Sequence, residues 1–301
     1  MIDELKSFMA VVEEASLTRA AQKLCVTQST ISKRIQRLEE ALGAQLFDRD
    51  SKPPRPTALA HRVQEHAAPL LLAFERLMHV TSEDGDPTGR LRFGLPQGIA
   101  DIVLFDALTT MRDAFPDLHV TLRADWSPNL VRLLMASELD VAAVMTPRNA
   151  PPLEGHANRY VAALELVVVQ SRERPLVPAN ATFAKITGQE WILNPEGCGY
   201  RAALENAVEA AGFSLNVRAD TYGSEMQLQL IASGLGLGLV PKPVLEHSAW
   251  NQRLEVVNVT RFAPRLNIWL VAPQNLGNLK RAVDYLGDRL VASFESRQSP
   301  Q

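Results

Sequence analysis

Ile2, Leu5, Phe8, Val12 and Ala15 recur at three- and four-residue steps, the spacing of one buried stripe on a helix with an acidic outer face. A short second helix over residues 18–24 buries Ala20, Ala21 and Leu24, with Ser16 or Thr18 as its cap. Thr27 can cap a third helix whose inward positions are Ile31, Ile35, Leu38 and Leu42, and Gly43 stops it. Its outward face then carries Gln28, Ser29, Ser32, Lys33, Gln36 and Arg37, flanked by Thr30 and Arg34. Residues 44–49 read as a strand, and the proline-rich tip at 51–54 turns the chain back toward Arg55-Pro56-Thr57. Helix, tight turn, helix and hairpin in that order predict a mainly α, winged helix-turn-helix unit.

Thr57 can cap a long helix reaching about residue 80, in which Leu59, Val63, His66, Leu70, Phe74 and Leu77 approach a heptad seam. Such a stripe packs on a partner helix or on its own chain, and Pro69 inside it predicts a kink or break. Residues 81–89 (TSEDGDPTG) are polar turn formers and mark a hinge. Beyond them strands at 90–95, 118–123 and 139–145 alternate with helices at 99–114 and 129–136, the mark of an α/β lobe. A β-branched strand at 164–170 leads into a second alternation at 191–193, 200–211, 217–221, 225–233 and 237–240. A strand at 266–272 and a helix from about 276 return to the first lobe. The expected domains are 1–57, a linker helix 58–80, a hinge 81–89 and a two-lobed body 90–301, with lobe I at 90–161 and 267–301 and lobe II at 162–266.

A length of 301 residues agrees with more than one domain, and 46% hydrophobic with 22% charged residues is ordinary globular usage. The net charge of −3 speaks weakly against nucleic acid until its distribution is considered. Residues 17–57 hold eight basic and four acidic residues, a local +4 against −7 for the rest of the chain. Donor-rich side chains at the start of the third helix suit base edges in a DNA groove. The alternative is a basic solvated face on a three-helix bundle.

The stretch SLTRAAQKLCVTQSTISKRIQRLEEALGAQLFDRD, Ser16 to Asp50, resembles the DNA-binding signature of LysR-type transcriptional regulators. The paired alanines, Val26-Thr27-Gln28-Ser29, Leu38-Glu39 and Leu46-Phe47 with Arg49 fall at family spacing. The resemblance implies DNA contacts by Thr18, Arg19, Gln28, Ser29, Thr30, Ser32, Lys33, Arg34, Arg37, Arg49 and Arg55, with Gln28 the candidate for adenine readout. One departure stands out: after Thr57 the family shows an Ala-Gly pair, whereas this chain has Leu59-Ala60. The body is similar to the family's effector-binding domain, a two-lobed α/β fold of the type 2 periplasmic-binding-protein kind. Implied partners are a double-stranded DNA operator, a second copy of the chain through the linker helix, a tetramer, RNA polymerase and a small-molecule effector.

Two α/β lobes place a ligand cleft between strand ends and helix starts. The expected lining is Pro96, Gln97, Gly98, Ser127, Asn129, Asn194, Cys198, Tyr200, Tyr222 and Ser224, and N–H groups at helix starts favour a small carboxylate. Ordinary helix capping is the competing reading for each residue. Where many family members carry a hydroxyl residue after the first strand of the body, this chain has Pro96-Gln97-Gly98. Cys25 is expected in the core and Cys198 as a pocket-lining loop thiol, too far apart in sequence for a disulfide scaffold. The Gly234-Leu235-Gly236-Leu237-Gly238 run follows a helix and precedes a strand, the reverse of a dinucleotide loop, so it reads as a tight turn. His61 and His66 lie five apart on different helix faces, and neither a metal nor a cofactor is expected. No nucleophile elbow, phosphate loop or carboxylate pair stands out, so no catalysis is expected. The N-terminal stretch has acids where a secretory signal carries a basic patch, which predicts a cytoplasmic protein. The competing function is a cytoplasmic solute-binding sensor without sequence-specific DNA readout.

Overall fold

A computed structural model describes residues 1–48, 51, 55–78, 85–148, 150 and 153–298. The chain forms two compact units, Met1–Thr81 and Ser82–Gln301.

In the first unit, α1 (Ile2–Glu14), α2 (Leu17–Lys23) and α3 (Gln28–Leu42) pack around Phe8, Val11, Ala20, Ala21, Ile31, Ile35 and Leu38. Ser16 caps α2 by accepting from the Arg19 N–H, and Thr27 caps α3 by accepting from the Thr30 N–H. Gly43 closes α3 in the left-handed region, φ 66°, and donates to the Glu39 and Glu40 carbonyls. Three positions depart from the expected pattern. Ala15 leaves α1 at φ 47°, and Cys25 turns at φ 53° between α2 and α3 and is exposed rather than buried. Leu42, in the last turn of α3 beyond the curve of the core, is 47% exposed.

The wing strand is shorter than 44–49. Strand β1 (Phe47–Asp48) pairs antiparallel with β2 (Arg55–Pro56), Phe47 opposite Pro56. The reason lies on α3: Glu39 Oε1 accepts from the backbone N–H groups of Leu46 (2.7 Å) and Phe47 (3.3 Å), so a side chain takes the donors that a longer ladder would use. The expected tip residues 52–54 and Arg49 lie outside the described residues.

Thr57 then caps α4 (Ala58–Met78) by accepting from the Ala60 N–H. The helix continues through Pro69 without a break. Its apolar seam divides: Leu59 and Val63 pack on the first unit's core, while Leu70 and Leu77 are 49% and 64% exposed.

The second unit starts with β3 (Gly89–Leu95), α5 (Gln97–Ala114), β4 (Leu118–Ala124), α6 (Ser127–Met135) and β5 (Val141–Pro147), whose strands run parallel. A 16-residue strand, β6 (His156–Ser171), leaves this lobe for the next, which holds β7 (Asn180–Ala181), α7 (Phe183–Thr187), β8 (Glu190–Leu193), α8 (Gly199–Ala210), β9 (Asn216–Asp220), α9 (Ser224–Ala232), β10 (Gly238–Pro241), α10 (Lys242–His247) and β11 (Leu254–Val259). Strand β12 (Arg265–Pro273) returns, and α11 (Lys280–Gln298) follows a 3-10 turn at Gly277–Leu279 that displaces the expected helix start.

The main sheet runs β4-β3-β5-β12-β6-β11-β7, with β10 also on β6. Residues 156–165 of β6 pair with β12, and residues 166–171 pair with β10 and β11, so one strand belongs to two layers in turn. Polar residues interrupt its first half, which hides it from a hydrophobic pattern. Leu237 bridges Trp191 and ties the small β8-β9 sheet to β10. Close packing explains the glycine run before β10, since a Cβ at Gly236 would stand 2.8 Å from the Glu190 carbonyl oxygen. In the first lobe Asp140, fully buried, takes Arg92 in a two-pronged ion pair of 3.0 and 2.8 Å and also accepts the Arg92 N–H.

Candidate nucleic-acid interface and ligand cleft

The inward side of α3 is filled by Ile31, Ile35 and Leu38, which fixes what faces outward. Gln28, Ser29, Ser32, Lys33, Gln36 and Arg37 are all exposed, and Thr18 and Arg19 at the start of α2 are exposed too. Thr18 Oγ1 donates to Gln28 Oε1 at 3.4 Å, tying the two helix starts together. Ser32 and Lys33 make no side-chain hydrogen bond or ion pair among the described residues. Arg55 stands exposed on the wing.

Several more of the expected DNA-contacting side chains are engaged within the unit, and the Ser29 hydroxyl pairs with that of Thr27 at 2.9 Å. Thr30 Oγ1 pairs with the Thr27 hydroxyl at 2.8 Å and serves the cap of α3. Arg34 turns toward α1, bonding Asp3 at 3.0 Å and Ser7 at 3.4 Å, and its side chain is only 23% exposed. Arg19 bonds the Glu14 carbonyl oxygen. Arg37 lies 3.9 Å from Glu4 with most of its side chain in solvent. Lys23 is held by Glu13 (2.7 Å) and Glu14 (3.3 Å), hydrogen bonds that raise its pKa. Glu39, whose carboxylate braces the wing on α3, has a role that no local spacing reveals, because its donors lie beyond the helix end.

In the second unit a cavity of about 450 Å³ is lined by Gln97, Ala124, Asp125, Trp126, Tyr222 and Gly223. Three helices begin on this wall: Gln97 is the first residue of α5, Trp126 precedes α6, and Gly223, at φ 87°, precedes α9. Asp125 Oδ1 accepts the Trp126 N–H at 2.8 Å and its other oxygen accepts from Asn129. Of the expected lining, Gln97 and Tyr222 border this cavity, and Tyr222 is 77% exposed. Pro96 precedes α5 and Asn129 stands behind Asp125.

The remaining expected residues are not among those lining this cavity. Ser127 is buried with its hydroxyl accepting the Met145 N–H at 2.9 Å. Asn194 is buried and donates to Gln227 at 3.4 Å, and Ser224 is buried at the start of α9. Cys198 is wholly buried before α8 rather than a pocket-lining thiol, and burial pushes its pKa up. Tyr200 is buried with its hydroxyl against Gly98; a Cβ at Gly98 would run into that hydroxyl, with ring carbons at 3.1 and 3.2 Å. Glycine at 98 therefore lets the two lobes meet at the cleft.

Arg201, below the loop before α8, belongs to no motif that the sequence displays. Burial opposes its charge, yet Glu205 at 2.6 Å, Asp220 at 2.7 Å and Glu196 at 3.7 Å outweigh that cost and raise its pKa. It also donates to the Asn194 carbonyl oxygen at 3.4 Å, anchoring the loop that carries Gly197 and Cys198. No helix among the described residues is long and apolar enough to cross a membrane.

Residues 2–61 match the model of the bacterial regulatory helix-turn-helix protein, lysR family, and residues 84–290 match the LysR substrate binding domain. The HTH-type transcriptional regulator YofA of Bacillus subtilis is 27% identical over 248 residues, covering 81% of this chain and 82% of that protein. CzcR of Bacillus anthracis is 26% identical over 246 residues, 81% of each chain. Among solved structures, full-length OxyR from Pseudomonas aeruginosa has a TM-score of 0.70 at 17% identity and covers 97% of both chains. Full-length CbnR in complex with its target DNA has a TM-score of 0.64 at 20% identity, covering 97% of this chain and 99% of that one. These relatives are transcriptional regulators, not enzymes, and with both domain models in order along most of its length the chain belongs to the LysR family of DNA-binding transcriptional regulators.

Proposed function

We propose that this regulator reads an operator through the start of α3 and changes its DNA binding when a small carboxylate enters the cleft between the lobes of its second unit. The observation that carries the reading is the exposed set Gln28, Ser29, Ser32 and Lys33 on a helix whose other face is locked into a core. Short donors and acceptors at a helix start match base edges in the major groove, with Gln28 suited to adenine. Arg55 on the wing and Arg37 and Arg19 beside the helix supply phosphate contacts, and Arg49 belongs with them by its place in the motif. Arg34 and Thr30 position α3 rather than touch DNA.

The exposed seam of α4 beyond Val63 suits pairing with a second copy, which sets two reading heads on a pseudo-palindromic site. A tetramer and contact with RNA polymerase accord with the family, and a regulator of chromosomal DNA acts in the cytoplasm. Domain limits of 1–57, 58–80, 81–89 and 90–301 express this division of labour. For the effector, α5 and α9 begin beside the cavity, at Gln97 and just after Gly223, and helix starts favour a carboxylate.

The test is to bind purified protein to genomic fragments at two salt concentrations and sequence what is retained. A few pseudo-palindromic sites, lost steeply as salt rises, support the reading. Sequence-indifferent retention contradicts it. A small-molecule extract of the host cell should then shift operator affinity of the wild type and leave Gly98→Val unaffected; an equal response places the effector elsewhere.

A further inference from the structure

The cavity wall is electrically lopsided. Three helices begin on it, but the start of α6 already has its own anion: the Asp125 carboxylate holds the Trp126 N–H and the Asn129 side chain, both neutral donors. Among the described lining residues Asp125 carries the only formal charge, and no lysine or arginine accompanies it there. Arg123, outside the lining, pairs with Asp125 at 3.9 Å, an ion pair too long for a hydrogen bond and half in water, so it offsets only part of the carboxylate's charge. A carboxylate accepts about four hydrogen bonds, so two neutral donors leave it both charge and lone pairs to offer. Flanking it are two aromatic residues, Trp126 and Tyr222, and the Tyr222 ring is left largely in solvent at the cavity edge. An acid beside aromatic faces is the chemistry that recognises an ammonium group.

We infer that the effector is a zwitterion: besides the carboxylate received at the starts of α5 and α9, it carries a cationic amine bound by Asp125 between Trp126 and Tyr222. The inference rests on the cleft being the effector site and adds the second charge. A bare carboxylate would meet attraction on one side of the cavity and repulsion from Asp125 on the other. An amine on the same molecule turns that repulsion into an ion pair, and closure of the aromatic rings over it covers apolar surface that Tyr222 now exposes. A cavity of about 450 Å³ suits a molecule of amino-acid size.

Calorimetric titration of the full chain with two matched triads tests this. One triad is L-phenylalanine, 3-phenylpropionate and 2-phenylethylamine; the other is L-leucine, 4-methylpentanoate and 3-methylbutylamine. At least one zwitterion should bind tenfold or more tightly than its deaminated acid and its decarboxylated amine. Asp125→Asn should remove that tenfold preference while leaving the bare acid unchanged or tighter, since asparagine still offers an oxygen to the Trp126 N–H. Tyr222→Leu, at an exposed position, should weaken the zwitterion several-fold and the acid little. A bare acid that binds as well as its zwitterion, with no effect of Asp125→Asn, overturns the inference. The cleft reading survives that result if Gly98→Val abolishes binding of the acid and fails if it does not. Binding of none of the six compounds also overturns the zwitterion assignment, and the cleft is then judged by the extract experiment alone.

Discussion

Replacing Glu39 by alanine removes the only side chain among the described residues that receives the Leu46 and Phe47 N–H groups. Leu46 is fully buried and Phe47 nearly so, which leaves their amides little water to turn to. The 2.7 Å bond to Leu46 has a good length and the 3.3 Å bond to Phe47 is near the outer limit, so for these two amides the substitution removes one strong charge-assisted bond and a weak one. Hydrogen bonds to charged groups contribute about 1.5–3 kcal/mol, giving a cost of about 2 kcal/mol to closure of the wing on α3. Glu39→Gln keeps a neutral acceptor and should cost about 1 kcal/mol.

All four tryptophans and all four tyrosines lie in the second unit, so the wing carries no tryptophan or tyrosine fluorophore of its own. Hydrogen exchange of peptides across residues 44–57 reads the change directly. Since 1.4 kcal/mol corresponds to a factor of ten, Glu39→Ala should speed exchange of the Leu46 amide by about 30-fold and Glu39→Gln by about fivefold. Operator affinity should fall in the same order. Unchanged exchange in Glu39→Ala would refute the bracing role.

Arg55→Ala should weaken all DNA sequences alike and lower the slope of log affinity against log salt by about one; loss confined to the operator would contradict a phosphate contact. Gly98→Val should remove the effector response with operator affinity retained, because the new side chain collides with Tyr200 inside the second unit. For the thiols, burial holds Cys198 protonated above its ordinary pKa and shields it, whereas Cys25 is exposed. Iodoacetamide at pH 8 should therefore label Cys25 in the native protein and Cys198 only after unfolding, as read by peptide mass spectrometry; native labelling of both at one rate would count against the burial.

Elements set by local pattern are legible in the amino-acid sequence alone. The inward face of α3, the Thr27 cap and the Gly43 stop follow from spacing and backbone preference within a few residues, and the βα alternation of the body likewise. The features that are not legible depend on distant partners. Arg34 faces Asp3, 31 residues away, so a partner on α1 that no local spacing reveals sets the direction of this basic side chain of α3. Ala15 and Cys25 leave their helices through left-handed turns that their side chains do not advertise. The start of β6 alternates polar and apolar residues because only one of its faces is covered there, and hydrophobic runs mark only its later, doubly covered part. In the cleft, helix starts point to Gln97 and Tyr222, but Asp125 and Trp126 sit at the strand-to-helix corner just ahead of Ser127, where no capping hydroxyl marks them. Ser127 and Asn194, the more obvious polar candidates, are consumed by backbone and side-chain partners in the interior.

The central claim, that the start of α3 reads base edges, is tested most directly by the affinity of Gln28→Ala and Ser32→Ala for a recovered operator, for single-base variants of it and for random DNA at one fixed salt concentration. Each substitution should weaken operator binding by about 1–3 kcal/mol, erase discrimination at particular base pairs and leave random DNA unaffected. Equal losses on operator and random DNA would contradict base reading by this helix.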